Sequence, residues 1–313
     1  TNKNRRRALL CTGGLFVDDV AEALSNQGFL VFPWDIHRLS PEALNEVCAK
    51  VRPEVVFAIN HTHGLAEACR HQNVPLVVWE IDPSTDGLRP AATPMDHVAI
   101  HTYRASNVPR FRAAGFPNVA YPPLAANIRR RSPGLELPKK GPDVCFVGAS
   151  MVDQAQRFRG IFLDAWDAHF SDRPGARQQG ARILDAVLAA QRTQPRNYLI
   201  PTLLQRHLES FIDTASARLV DDPVAMVAEM AAAERRLNVV ARLGVEGVHV
   251  WGDPGWKAVV ASGAKYEGFA GHNRQLTEIY RTGRIHVDIN RLYQLDIVPM
   301  RVFDILACGG FLI

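Results

Sequence analysis

Arg284-Ile-His-Val-Asp-Ile-Asn290 and, after a short loop, Pro299-Met-Arg-Val-Phe-Asp-Ile-Leu-Ala-Cys-Gly-Gly-Phe-Leu-Ile313 read as strand, loop, short helix, glycine stop and strand. Ile285 to Ile289 alternates apolar and polar residues, as a partly buried strand does. Pro299 suits the first position of a helix and Gly309-Gly310 its end, where left-handed backbone angles are common. Val302, Phe303, Leu306 and Ala307 can face a sheet, while Arg301 and Asp304 share another side one turn apart. A short helix whose N-terminus faces a strand edge is a natural anion site. The phosphates of a sugar nucleotide are the candidate anion.

Upstream, the first third alternates short apolar runs with helical periodicity. Ala8 to Cys11, Phe29 to Trp34, Glu54 to Ile59, Pro75 to Ile81 and His97 to Thr102 read as strands. Val17 to Asn26, Pro41 to Val51 (with Ser40 as its cap) and Leu65 to Arg70 read as helices between them. Near-continuous Val/Ile/Leu strands separated by helices imply a parallel sheet covered on both faces, a Rossmann-like doubly wound domain over residues 1–126. Residues 127–142 are polar and rich in breakers and read as a linker, with the charge of Arg129-Arg-Arg131 in solvent. A second strand–loop pattern starts at Val144. Helical periodicity with proline breaks then runs over about 151–240, an all-helical insertion whose apolar face is either core or a surface for a protein partner. The α/β pattern resumes at Gly247 and runs to the end of a second domain, 143–313.

Composition sets the class. The 313 residues are 47% hydrophobic and 22% charged, which fits a globular protein and not a disordered one. No apolar run approaches the roughly 18 residues of a membrane helix, and the basic N-terminus lacks a signal peptide's apolar region. The net charge of +4 suits an anionic ligand, but basic residues are not gathered as nucleic-acid binding requires. The five cysteines are dispersed through apolar patterns and read as buried thiols in a reducing cytosol. No Cys/His spacing suggests zinc.

The candidate site residues follow the strands. Thr12-Gly13-Gly14 closes the first strand and either cradles a ligand or makes a tight turn; it falls short of the full G-x-G-x-x-G. His61 and His63 follow the third strand, as general bases or as hydrogen-bonding loop residues. Asp82 follows the fourth, as a base for an acceptor hydroxyl or as the start of an Asx-type turn. In the second domain Gly148 and Ser150 end the first strand, and Trp251-Gly252-Asp253 end the next, suited to phosphate and nucleobase or to a packed turn. Asn290, Asp296, Arg301 and Asp304 complete the donor-side set. Arg301 and Asp304 are either phosphate and ribose ligands or an exposed ion pair.

Three stretches, Leu76-Val-Val-Trp-Glu-Ile-Asp-Pro83, Ala99 to Arg104 with Ala114 to Ala125, and Val287 to Ile313, resemble the CgeB-type (spore maturation protein-like) bacterial glycosyltransferases. The ending Met300 to Gly310 is similar to the group 1 glycosyltransferase signature, with two carboxylates before an Ala-Cys-Gly. The resemblance implies a GT-B fold: two Rossmann-like domains facing a cleft, acceptor on the first and nucleotide sugar on the second. It further implies a cytoplasmic, metal-independent enzyme without a cofactor, using a UDP-, GDP- or TDP-sugar donor and an unidentified acceptor. Asp304 then matches the ribose carboxylate and Asp296 the one nearer the sugar, both Asp where the wider group has Glu. The family continues beyond an apolar strand such as Phe311-Leu-Ile313, so a longer natural chain is expected. A nucleotide-sugar epimerase of the same fold, or a non-catalytic sugar-nucleotide-binding scaffold, are the competing expectations.

Overall fold

The computed structural model describes residues 5–12, 15–35, 40–62, 64–82, 90–134, 140–218 and 222–313. The chain forms two compact units: residues 1–124 with Asp296–Val298, and 125–295 with Pro299–Ile313.

In the first unit, β1 (Arg7–Thr12), β2 (Leu30–Asp35), β3 (Val55–Ile59), β4 (Leu76–Glu80), β5 (Val98–Thr102) and β6 (Asn118–Ala120) form one sheet in the order β2-β1-β3-β4-β5-β6. Every pairing is parallel, with Leu9 opposite Val56 and Val78 opposite Ile100. The helices α1 (Val17–Asn26), α2 (Pro41–Val51), α3 (Leu65–His71) and α4 (Asn107–Ala113) connect the strands. Local chemistry sets several of their ends. The Ser40 hydroxyl accepts from the Ala43 amide at 3.1 Å and Pro41 opens α2, while Asp18 and Asp19 face the positive end of α1. Leu9, Leu44, Val56, Val78, Ile100 and Phe111 meet in the core. β6 is three residues long, too short for any periodicity to announce it.

In the second unit, β7 (Val144–Val147), β8 (His249–Trp251), β9 (Lys265–Tyr266) and β10 (Ile285–His286) make a parallel sheet in the order β10-β7-β8-β9. β10 is shorter than the alternation predicts. Its direction continues in single bonds: the Val287 amide donates to the Cys145 carbonyl, and the Asp288 amide to the Ile313 carbonyl. Leu312 bridges His286 in parallel, so the last three residues extend the sheet beyond β10.

Four helices lie between β7 and β8: α5 (Val152–His169), α6 (Ala176–Thr193), α7 (Ile200–Arg218, kinked at Leu208) and α8 (Pro223–Leu243). They share an apolar core around Phe162, Trp166, Leu184, Leu204, Phe211 and Met226. Asp222 caps α8 by accepting from the Val224 amide at 2.9 Å. After β9 come α9 (Arg274–Thr282) and α10 (Met300–Ala307). Pro299 stands just outside α10, as its cap and not its first helical residue, and Gly309 takes φ 79° beyond its end.

The solvated linker needs one correction. Arg131 is only 4% exposed, and its guanidinium donates to Asp304 at 3.1 Å, to the carbonyls of His272 and Asn273, and to the Thr277 hydroxyl. A fork with this many acceptors keeps its charge satisfied without water.

Candidate functional site

Strand order fixes where a ligand can sit. In open α/β sheets the crevice lies beyond the carboxyl ends of the strands, where the winding reverses. In the second unit the reversal falls between β10 and β7. The loops that leave these strands are Gly148–Ser150 and Val287–Asn290, and one side chain spans both. Arg236, from α8, donates to the Ala149 carbonyl at 2.8 Å and to the Ile289 carbonyl at 3.4 Å. It is 7% exposed, and its Nε has no hydrogen-bond partner.

Arg301, in the first turn of α10, binds Asp288 and stacks its guanidinium 5.3 Å from the Phe146 ring centre. A Cβ on Gly148 would lie 2.9 Å from Arg301 Nη2 and 3.1 Å from the Phe146 ring. A side chain at 148 would push the end of Arg301 away from this position. Arg291 donates to the Tyr293 hydroxyl at 3.0 Å and pairs with Glu229 at 3.3 Å, and Tyr293 also donates to Glu229. The other Glu229 oxygen is buried without a hydrogen bond.

Burial first, then the charges of Arg301 and Arg291, pull Arg236 down to about 10 against the opposing pull of Glu229 and Asp288. Among the described residues the three guanidiniums of Arg236, Arg291 and Arg301 interact here with the two carboxylates of Glu229 and Asp288, around an Arg236 that is withdrawn from water. Such a place favours an anion with several acceptor oxygens.

The residues singled out from sequence distribute as follows. Gly148 and Arg301 are in this cluster, and Asn290, exposed, ends the β10 loop. Ser150 and Asp253 bind each other: the Asp253 carboxylate accepts from the Ser150 amide at 2.6 Å, from its hydroxyl, and from the Gly255 amide at 3.0 Å. They fasten the β7 loop to the β8 loop. Trp251 is buried among Cys145, Ile279 and Tyr280, and Gly252 lies in a turn whose carbonyl accepts from the Tyr266 hydroxyl at 3.2 Å. Arg301 pairs with Asp288, and Asp304 pairs with Arg131. Asp304 is 6% exposed. Sequence reasoning missed Arg236, Arg291, Arg131, Asp288 and Glu229. Asp288 stood in the quoted strand, and the others lay in helical or loop patterns with no distinguishing spacing.

In the first unit the winding reverses between β1 and β3, so the loops after these strands flank its crevice. Gly13, Gly14 and His63 lie outside the described residues. His61 is half-buried, its ring 5.2 Å from that of Phe116 and 6.1 Å from that of Phe111, both edge-on. Asn60, at φ 64°, donates to the Asp82 carboxylate at 2.7 Å and accepts from the amides of Ile81 and Asp82. This bracket holds the ends of β3 and β4 together and leaves Asp82 exposed. Asp296 belongs to this unit, accepting from Arg104 Nη2 at 3.1 Å and the Ser106 amide at 3.1 Å. Partial burial raises its pKa, but the Ser106 and Arg104 interactions outweigh it and the net shift is downward. Among the described residues no group of three or more His, Cys, Asp or Glu could hold a metal ion. No described helix is long and apolar enough to cross a membrane.

Residues 226–313 match a family of glycosyl transferase-like proteins. The match spans α8 to the last residue and so contains Arg236, Arg291, Arg301, Asp288 and Asp304. No curated protein gives a match. Among solved structures, a glycosyltransferase from Rickettsia africae ESF-5 is similar at 9% identity and a TM-score of 0.36, over 91% of this chain and 73% of that one. MurG from Acinetobacter baumannii is similar at 13% identity and a TM-score of 0.26, over 98% and 96%. A GntR transcription regulator from Chromobacterium violaceum is similar at 14% and 0.26, over 79% and 78%. These structural likenesses are too loose to bear on function.

Proposed function

We propose that the protein is a GT-B glycosyltransferase of the CgeB type, which moves a sugar from a nucleotide-sugar donor to an acceptor hydroxyl. The observation that carries this reading is the arginine cluster at the β10/β7 reversal, inside the segment that matches glycosyl transferase-like proteins. The donor's diphosphate takes the place the cluster leaves for an anion. Breaking the bond from the sugar to the diphosphate builds negative charge on the departing oxygens. Arg301 and Arg236 are already oriented to receive it, Arg301 by Asp288 and the Phe146 ring, Arg236 by two carbonyls. Preorganised cations in a poorly hydrated site stabilise such charge far better than mobile water does.

In this reading Asp304, its carboxylate set by Arg131, holds the donor ribose, Asn290 contacts the donor, and the Ser150–Asp253 pair holds the loops of the donor site in place. His61, His63 or Asp82 takes the acceptor's proton if configuration is inverted; a retaining enzyme needs no such base. No metal enters the scheme.

The test has two parts. UDP-, GDP- and TDP-sugars are screened by thermal shift, and the stabilising donor is incubated with candidate acceptors while free nucleoside diphosphate and new glycoside are measured. One donor class raising the melting temperature, with diphosphate and glycoside released together, supports the reading. An epimerised donor without free diphosphate would point to the epimerase instead, and no stabilisation by any donor would defeat the site assignment. Arg301→Ala is expected to weaken donor binding by roughly ten- to a hundredfold, the worth of a charge-assisted contact, in calorimetric titration.

A further inference from the structure

A cavity lies between α6 and α8, lined by α8 residues other than Arg236. Its volume is about 590 Å³, within the usual range of small-molecule pockets. The C-terminal half of α6, the following loop, α8 and Leu292 line it. Adjacent arginines of α8 serve different places: Arg236 binds the strand-end loops, and Arg235 lines this cavity.

The pocket has a built rim. Gln191, 3% exposed, donates to the Asn197 carbonyl at 2.7 Å and accepts from the Leu199 amide at 2.8 Å. Arg235 donates to the Pro195 carbonyl at 3.0 Å. The loop after α6 is thus held from both sides, so the opening is preformed. Inside, Leu188, Ala231 and Leu292 supply an apolar floor.

The charges are not balanced. Arg192 pairs with Glu234 at 3.1 Å. Arg235 has the one acceptor on Pro195, and Arg242 has none among the described residues. Arg235 is half-buried, and that burial lowers its pKa. Planar guanidiniums with donors to spare, beside apolar wall, suit an oxyanion attached to a hydrocarbon body.

We propose that this cavity is a second ligand site, distinct from the strand-end cluster, which takes a small amphiphilic anion. Hexyl phosphate serves as the probe, with hexanol as its uncharged counterpart, in calorimetric titrations of the full chain. Saturable binding of hexyl phosphate at one site is expected, with hexanol far weaker. The double variant Arg235→Gln, Arg242→Gln should weaken binding about tenfold or more. Ala189→Phe, on the exposed wall, should weaken it as well by filling the space without touching a charge, and it decides the matter if the double variant does not fold. Arg301→Ala should leave it unchanged. No saturable binding, equal binding of hexanol, binding that survives the pocket substitutions, or loss of binding in Arg301→Ala would each overturn the proposal, the last because the probe would be reading the strand-end site.

Discussion

Glu80 ends β4 only 1% exposed, with Asn107 donating to one oxygen at 3.1 Å and the other oxygen lacking a hydrogen bond. Burial raises its pKa from 4.5, against hydrogen bonds from Thr102 and Asn107 and the charges of Arg104 and Arg110. The sign of the linkage follows. A folded-state pKa above the unfolded value means the native protein binds more protons in that window, so stability declines as pH rises from 4.5 through the folded value. Glu80→Gln keeps the acceptor for Asn107 and removes the charge. Its thermal midpoint should exceed wild type near pH 7 to 8, and the two should converge near pH 4. His286 runs the other way: burial lowers its pKa from 6.5, so its contribution is complete above 6.5 and is lost as pH falls through the folded value. His286→Asn should flatten the acid side of the stability profile without altering the alkaline side.

At the scale of elements, two glycines in the helical block test what limits it. Glycine in a helix interior costs roughly 1 kcal/mol relative to alanine. A Cβ on Gly160, in α5, would meet nothing within 4 Å, so Gly160→Ala should stabilise by up to about 1 kcal/mol. A Cβ on Gly180, in α6, would lie 2.6 Å from the Trp166 ring, which is itself packed between Phe170 and Phe211. The overpacking penalty of roughly 1–3 kcal/mol outweighs the propensity gain there. Gly180→Ala should therefore destabilise, with opposite shifts of the two variants in urea midpoints. The same scale shows what was legible. Ser40, Pro41 and the glycine after α10 announce helix ends by their own side-chain and backbone chemistry, and the start of α2 and the end of α10 agree with those signals. β9 is two residues long and carries no period to detect, whereas β10 lies inside the alternating Ile285–Ile289 stretch that announced it.

For the whole molecule, the five thiols give a measure of integrity. Cys11, Cys48, Cys69, Cys145 and Cys308 are all free and buried. Burial pushes Cys11, Cys69 and Cys145 up to about 12 and Cys308 to about 11. Thiolate is the reactive form, so both access and ionisation oppose modification. An aromatic disulfide reagent at pH 8 should titrate few of them in the native protein and all five in guanidinium. Rapid native labelling would mean that one of the cores opens readily.

Local periodicity, caps and breakers determined that this chain builds parallel sheets covered by helices, followed by a helical stretch and a return to α/β. Those features act over a turn or a strand, so the sequence displays them directly. Strand order, and with it the β10/β7 reversal, was decided only by tertiary packing. So was the meeting of Arg236 from α8, Arg291 from a loop and Arg301 from α10, whose spacing in sequence follows no pattern. The fate of Asp304 turned on the same long-range closure: its neighbour in sequence was Arg301, but the buried partner that desolvation required came from Arg131. Charge pairing in a buried site is settled by which groups lose water together, and the linear chain does not record that.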